Sequence, residues 1–216
     1  MTDEQNTENS LKIILLGESG VGKTNLINVF MGKEFEQNSF TSLSSSYIDG
    51  VFSFKGKDFP YVIWDTAGQE SYRSLNQIFL KNSKIIILVY SVDDEKSFQE
   101  LNYWIDLVKN ELEEDYVMAI CGNKIDLFDE QRVKEEDAEN YAEKHGLKLK
   151  FTSALTDPQG FKFFLNEIIL DYLVKAGKVQ KGVEQETNQD IQNSFKINKK
   201  VAKKEKIKKK ILLVYL

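Results

Sequence analysis

Apolar residues recur along this chain in two rhythms. Short continuous runs, Ile13-Ile14-Leu15-Leu16, Ile85 to Tyr90 and Val117 to Cys121, alternate with longer stretches in which apolar positions return every three or four residues. The first rhythm marks strands buried on both faces, the second helices with one covered face. The pattern predicts a strand over Lys12 to Leu16 and a helix from about Gly22 to Met31. Tyr47 to Phe54 and Phe59 to Trp64 follow as strands joined by a Lys55-Gly56-Lys57 turn. Pro60 belongs at the very start of its strand, because it has no N–H for a ladder. A helix near Leu75 to Leu80 precedes the strand Ile85 to Tyr90. Asp93 is then expected to cap a helix carrying Phe98, Leu101, Trp104, Ile105 and Val108. After the strand Val117 to Cys121 comes a charged helix, Glu135 to His145, closed by Gly146. Leu149 to Thr152 is the last strand. Asp157 caps and Pro158 starts a final helix with Phe161, Phe164, Leu165, Ile168, Ile169, Tyr172 and Leu173 on one face. Six strands alternating with helices predict an α/β fold. Its sheet is mostly parallel, with one antiparallel edge strand and helices on both faces. The domain spans 11–174, after an arm (1–10) expected to be disordered and before a polar, then polybasic tail (175–216).

Composition narrows the class. Of 216 residues, 41% are hydrophobic and 29% charged, a globular balance, and no stretch reaches the roughly 20 apolar residues of a membrane span. The start, Met1-Thr2-Asp3-Glu4, is neither a secretory signal nor a myristoylation site. Cys121 is the single cysteine, which leaves no internal disulfide and suits a reducing, cytoplasmic setting. The net charge of −5 hides an asymmetry. From Phe195 onward nine lysines face one acid, a tail of +8, which leaves −13 on residues 1–194. An acidic body argues against nucleic acid as a partner. The basic tail points to an anionic membrane surface.

The chemistry gathers at the strand ends, where open α/β sheets hold ligands. Gly17-Glu18-Ser19-Gly20-Val21-Gly22-Lys23-Thr24 lies between a strand and a helix, the context in which G-x-x-x-x-G-K-[ST] cradles phosphate. Backbone N–H groups and the helix dipole face the anion, Lys23 adds a point charge, and the Thr24 hydroxyl suits Mg²⁺. In Trp64-Asp65-Thr66-Ala67-Gly68-Gln69-Glu70, Asp65 can hold Mg²⁺ through water, Gly68 lets its N–H approach a terminal phosphate, and Gln69 can orient an attacking water. In Gly122-Asn123-Lys124-Ile125-Asp126, the Asp126 carboxylate can accept from the ring N–H and exocyclic amine of guanine, a donor pair adenine lacks. Thr152-Ser153-Ala154 can offer a backbone N–H to the guanine carbonyl. His145, before Gly146, suits a helix C-terminus and not catalysis. Cys121 reads as a core residue.

These four boxes, in this order, resemble a Ras-superfamily small GTPase from about Lys12 to Leu173, built on the phosphate-loop small G domain. The resemblance implies binding of GTP and GDP with Mg²⁺, slow hydrolysis, and two loops that reorganise when the γ-phosphate leaves. By that match Ser19, Gly20, Val21, Gly22, Lys23, Thr24, Asn25 and Gly68 serve phosphate, and Gln69 serves the water. Thr24, Ser42 and Asp65 serve the metal. Phe35, Asn123, Lys124, Asp126, Ser153, Ala154 and Leu155 serve the base. The chain is most similar to the Rab branch, on Gly17 to Lys23, on Tyr72-Arg73-Ser74-Leu75, and on Val89-Tyr90-Ser91 with Glu95-Lys96-Ser97-Phe98. That implies vesicle trafficking, an exchange factor, a GTPase-activating protein and effectors, and residence on the cytosolic face of endomembranes. The aromatics that Rab proteins present to effectors match Tyr47, Trp64 and Phe79.

Two departures stand out. Counting seven residues from Phe35 lands on Ser42, where the family carries a threonine, and the next stretch reads Leu43-Ser44-Ser45-Ser46-Tyr47. Serine can make the same ligation without the methyl that stiffens χ1, so a poorly switching, nucleotide-loaded scaffold is the alternative to a full switch. A Ras-like signalling GTPase is the other. The family's lysine after Ser-Ala is Leu155 here. Rab proteins are prenylated on C-terminal cysteines, whereas this chain ends Ile211-Leu212-Leu213-Val214-Tyr215-Leu216. Either the lysines and this apolar end anchor the protein themselves, or the gene end is misassigned.

Overall fold

A computed structural model describes residues 10–35, 46–65 and 79–180. Six strands form one sheet in the order β2-β3-β1-β4-β5-β6. They are β1 (Leu11–Leu16), β2 (Ser46–Phe54), β3 (Lys57–Asp65), β4 (Ile85–Ser91), β5 (Val117–Asn123) and β6 (Lys148–Phe151). All neighbours run parallel except β2, which pairs antiparallel with β3 at the edge, as the alternation of strands and helices predicts.

The sheet divides the apolar residues between two layers. Alternate residues of β1 part company, Ile13 and Leu15 to one cluster, Ile14 and Leu16 to the other. A strand with a parallel neighbour on each side has no solvated face, which is why its sequence reads as an unbroken apolar run. The first layer is covered by α1 (Lys23–Phe30) and α5 (Gly160–Lys175). The second is covered by α3 (Leu101–Glu111) and α4 (Glu135–His145), with Trp104 at 1% exposure in its centre. Helix α4 places Glu135, Glu136 and Asp137 in its first turn and Lys144 and His145 in its last, then ends on a left-handed Gly146. That charge order complements the helix dipole.

Several boundaries differ from the sequence reading, each for a local reason. The helix after β4 is capped by Asp94, not Asp93. The Asp94 carboxylate accepts from the Lys96 and Ser97 N–H groups at 3.0 and 3.3 Å, whereas the Ser91 hydroxyl occupies Asp93. That helix is also split into α2 (Glu95–Gln99) and α3 at Glu100. The β2–β3 turn is two residues, Lys55 and Gly56, both at positive φ (48° and 74°), which matches the twist of a hairpin. Lys57 therefore already belongs to β3. Pro60 lies inside the strand and not at its start, and is tolerated because β1 begins pairing only opposite Tyr61. The last helix starts at Gly160, with 158–159 a turn held by the Gly160 N–H on Asp157 Oδ1 (2.9 Å). Strand β5 runs on through Gly122 and Asn123, and β6 begins and ends one residue earlier than expected. Of the helix expected at Leu75 to Leu80, only 79–80 fall among the described residues, and these are helical.

Candidate nucleotide site

The phosphate loop follows β1 directly, and its shape depends on three glycines at positive φ: Gly17 (146°), Gly20 (80°) and Gly22 (95°). Two of them also answer to close neighbours. A Cβ on Gly17 would lie 2.0 Å from the Val89 carbonyl of β4, and one on Gly22 would lie 2.4 Å from Asn123 Nδ2. Val21 turns inward to full burial in the first apolar layer, while Ser19 and Gly20 stay exposed at the lip. Helix α1 starts at Lys23 with Gly22 as its N-cap and no side-chain cap, so its leading N–H groups and positive end face the loop. Lys23 is 5% exposed, and its ammonium donates to the carbonyls of Gly17 and Glu18 at 2.8 and 2.9 Å. A buried cation beside the positive end of a helix fits a polyphosphate.

Beside the loop, Thr24 Oγ1 stands 3.4 Å from Asp65 Oδ1, and Asp65 is 3% exposed at the end of β3. Hydroxyl and carboxylate oxygens are the hard donors Mg²⁺ takes, with water and phosphate oxygens completing the shell. Among the described residues no group of three or more His, Cys, Asp or Glu is poised for a metal. A site completed by phosphate needs no such group. Ser42, Gly68 and Gln69 lie outside the described residues. Asn25 is half-buried next to Thr24, and Phe35 packs partly against the first apolar layer.

The base boxes converge from β5 and β6. Asn123 is 1% exposed and ties the site together: its Nδ2 donates to the Val21 carbonyl (2.9 Å) and its Oδ1 accepts from Thr152 Oγ1 (3.4 Å). Lys124 leaves the strand at φ 66°, a left-handed conformation that a side chain adopts at some cost. Asp126 is half-buried, and its Oδ1 accepts from Ser153 Oγ at 2.5 Å, which fixes the plane of the carboxylate. The Ser153 oxygen in turn accepts from the Leu155 and Thr156 N–H groups (3.1 and 2.9 Å), folding 153–156 into a tight turn with Ala154 buried and Leu155 52% exposed.

A second surface joins the three predicted aromatics. Tyr47 and Trp64 face one another across the β2–β3 hairpin with centroids 5.9 Å apart, and Trp64 and Phe79 are 6.0 Å apart. Tyr47 is 62% exposed. Lys12, which the apolar pattern passes over, places its ammonium 5.1 Å above the Trp64 ring and donates to the Lys81 carbonyl (2.9 Å), just beyond the turn that carries Phe79. Burial lowers its pKa. The second residue missed from the sequence is Asp93, whose carboxylate lies 3.8 Å from the Lys124 ammonium. A polar residue inside an apolar run was the available signal for Lys12, whereas nothing in sequence separates Asp93 from its neighbour Asp94. Cys121 and His145 are where the sequence suggests. Cys121 is buried, its Sγ 3.1 Å from Thr152 Oγ1 and its thiol pushed up to about 12 by burial. His145 lies tilted against the Tyr141 ring, centroids 4.5 Å apart, and burial lowers its pKa, with Lys109 and Lys144 adding to that.

Comparison with known proteins identifies the family. The model of the Ras family matches residues 12–171. Ras-related protein Rab-21 of Mus musculus is 41% identical over 145 residues, which covers 67% of this chain and 65% of that protein. The human Rab-21 is 40% identical over the same length. Ras-related protein RABA2a of Arabidopsis thaliana is 34% identical over 160 residues, 73% of this chain and 74% of that one. The chain thus spans just under two thirds of the length of the Rab-21 proteins of mouse and human.

Proposed function

The chain belongs to the Ras family and is most similar to its Rab members, and on that premise we propose that it is a Rab-type guanine-nucleotide switch acting in vesicle traffic. It binds GTP or GDP with Mg²⁺ and hydrolyses GTP slowly. The observation that carries this reading is the bond from Asn123 Nδ2 to the Val21 carbonyl, which locks the guanine boxes onto the phosphate loop as one ligand-shaped unit. Lys23 and the start of α1 hold the phosphates; Thr24 and Asp65, with Ser42, hold the metal; Asp126, Ser153 and Ala154 read the base. Mg²⁺ held there would neutralise charge on the phosphates. Gln69 orients the water. Unaided hydrolysis is expected on the order of 10⁻⁴ to 10⁻³ s⁻¹, since an activating partner supplies the arginine that related enzymes borrow.

Tyr47, Trp64 and Phe79 form the effector surface, with an exchange factor and an activating protein as the other partners. The nine tail lysines hold the protein to the anionic cytosolic face of endomembranes, each contributing about 1 kcal/mol near the surface. Among the described residues no helix is long and apolar enough to cross a membrane. Three experiments test these readings. Asp126→Asn should shift preference from guanine to xanthine nucleotides in competition binding, and unchanged guanine preference would remove the base assignment. Flotation with phosphatidylserine vesicles at low and high salt tests the tail, and salt-independent binding, or none, counts against it. Single-turnover GTP hydrolysis separates the switch from a nucleotide-loaded scaffold, which would leave GTP intact.

A further inference from the structure

Asp93 has no part in the nucleotide boxes and does not cap the helix that follows it, yet it is held with care. The Ser91 hydroxyl donates to its Oδ1. The backbone on either side is fixed by the Ser91–Asn123 rung of β4 and β5, by the Val92 N–H on the Asn123 carbonyl (3.0 Å) and by the Asp94 N–H on the Ser91 carbonyl (3.0 Å). The same Oδ1 lies 3.8 Å from the ammonium of Lys124, and both side chains are largely shielded, at 24% and 31% exposure. Lys124 is the one residue between Asn123 and Asp126 with a left-handed backbone, and the Leu127 N–H on its carbonyl (2.9 Å) keeps it there. A lysine stem anchored by its backbone alone is a loose wall, because it retains several rotatable bonds.

We propose that Asp93 is a positioning residue for the nucleotide site: it holds the Lys124 ammonium to one side, so that the lysine stem is ordered before nucleotide arrives and slows its release. Preordering a flexible side chain removes an entropy cost from binding. The device sets residence time and leaves base specificity to Asp126. Ser91 acts one step further back, by aiming the carboxylate. The inference rests on the nucleotide-binding reading given above.

The test is the release rate of N-methylanthraniloyl-GDP from the full-length chain, chased with excess GDP, for the parent, Asp93→Asn, Lys124→Met and the double variant. Asp93→Asn keeps the shape and removes the charge. It should release the probe roughly two- to fivefold faster, the range of a partly exposed ion pair, and should lose the salt sensitivity of the parent. Ser91→Ala should move the rate in the same direction by less. In the Lys124→Met background the Asp93→Asn step should have no effect. Equal acceleration in both backgrounds, or a rate unchanged or slowed by Asp93→Asn, would overturn the proposal while leaving nucleotide binding in place. Failure of the parent to bind the probe would instead bring down the nucleotide reading, and this inference with it.

Discussion

Gly22 carries the most demanding geometry in the phosphate loop, and Gly22→Ala converts that geometry into a number. At φ 95° an alanine pays left-handed strain of about 1–2 kcal/mol. Its Cβ would also come within 2.4 Å of Asn123 Nδ2. The amide cannot turn away freely, because it donates to the Val21 carbonyl at 2.9 Å and is 1% exposed. Displacing it breaks that bond and strands a buried acceptor, a further cost of about 1–3 kcal/mol. The total is about 2–5 kcal/mol, and at roughly 2–4 °C per kcal/mol for a domain of this size the melting temperature should fall by about 4–20 °C. The second variant isolates the mechanism. Asn123→Ala removes the obstacle, so Gly22→Ala in that background should cost only the strain, about 1–2 kcal/mol, and the double-mutant cycle should show a coupling of about 1–3 kcal/mol. Denaturation of all four proteins by urea without nucleotide keeps differences in GDP affinity out of the cycle. Strictly additive costs would refute the claim that Gly22 is required by Asn123 as well as by its own backbone angle.

Three further outcomes follow from the same geometry. The Cys121 thiol is fully buried and pushed up to about 12, so a thiol reagent should leave the native protein untouched and titrate one equivalent after denaturation; rapid native labelling would place that strand wrongly. His145 has a pKa lowered below its ordinary 6.5, chiefly by burial. The unfolded state therefore takes up its proton first, and stability should decline as pH falls through 6.5 toward the lower folded value. His145→Asn should flatten that part of the melting-temperature profile, and an identical slope would dismiss the residue as a source. Lys12→Met removes the cation above Trp64. In a Trp104→Phe background, where Trp64 is the remaining tryptophan, its emission should shift and become easier to quench with acrylamide, and an unaltered spectrum would mean that the lysine does not hold the ring.

Much of this structure is written in local pattern. The buried strands β4 and β5 announce themselves as apolar runs because parallel neighbours and covering helices leave no wet face. The glycine spacing of the loop is equally legible, since only glycine tolerates φ 95° beside a neighbour as close as Asn123. The misplaced features share a cause: they are settled by partners distant in sequence or by a competition between adjacent residues. Asp93 and Asp94 are the same side chain at successive positions, and only the fold decides that one meets N–H groups at a helix start while the other meets Ser91 and Lys124. Pro60 could not be placed without knowing that β1 starts opposite Tyr61. Strand β5 outruns its apolar stretch because Ser91 of β4 is still there to pair with Asn123. The tie between Asn123 and Val21 spans 102 positions, and no periodicity reaches that far.

The edge hairpin has a mechanical consequence. Its last rung pairs Ser46 with Asp65, so the stretch holding Ser42 enters the sheet, and the stretch holding Gly68 and Gln69 leaves it, at opposite ends of a single backbone pair. Two levers mounted on one axle do not turn independently. Under the function proposed above, a metal ion drawing in Asp65 would pull on Ser46 through the ladder, and a protein grasping Tyr47, one residue along, would push back on Asp65 by the same route. Further down the hairpin, Gly50 lets the Tyr61 ring lie flat across the strand, 2.2 Å from where a Cβ would stand; a side chain there would tilt the axle itself. Whatever binds this edge therefore meets, through one rung of the ladder, the strand ends from which both stretches depart.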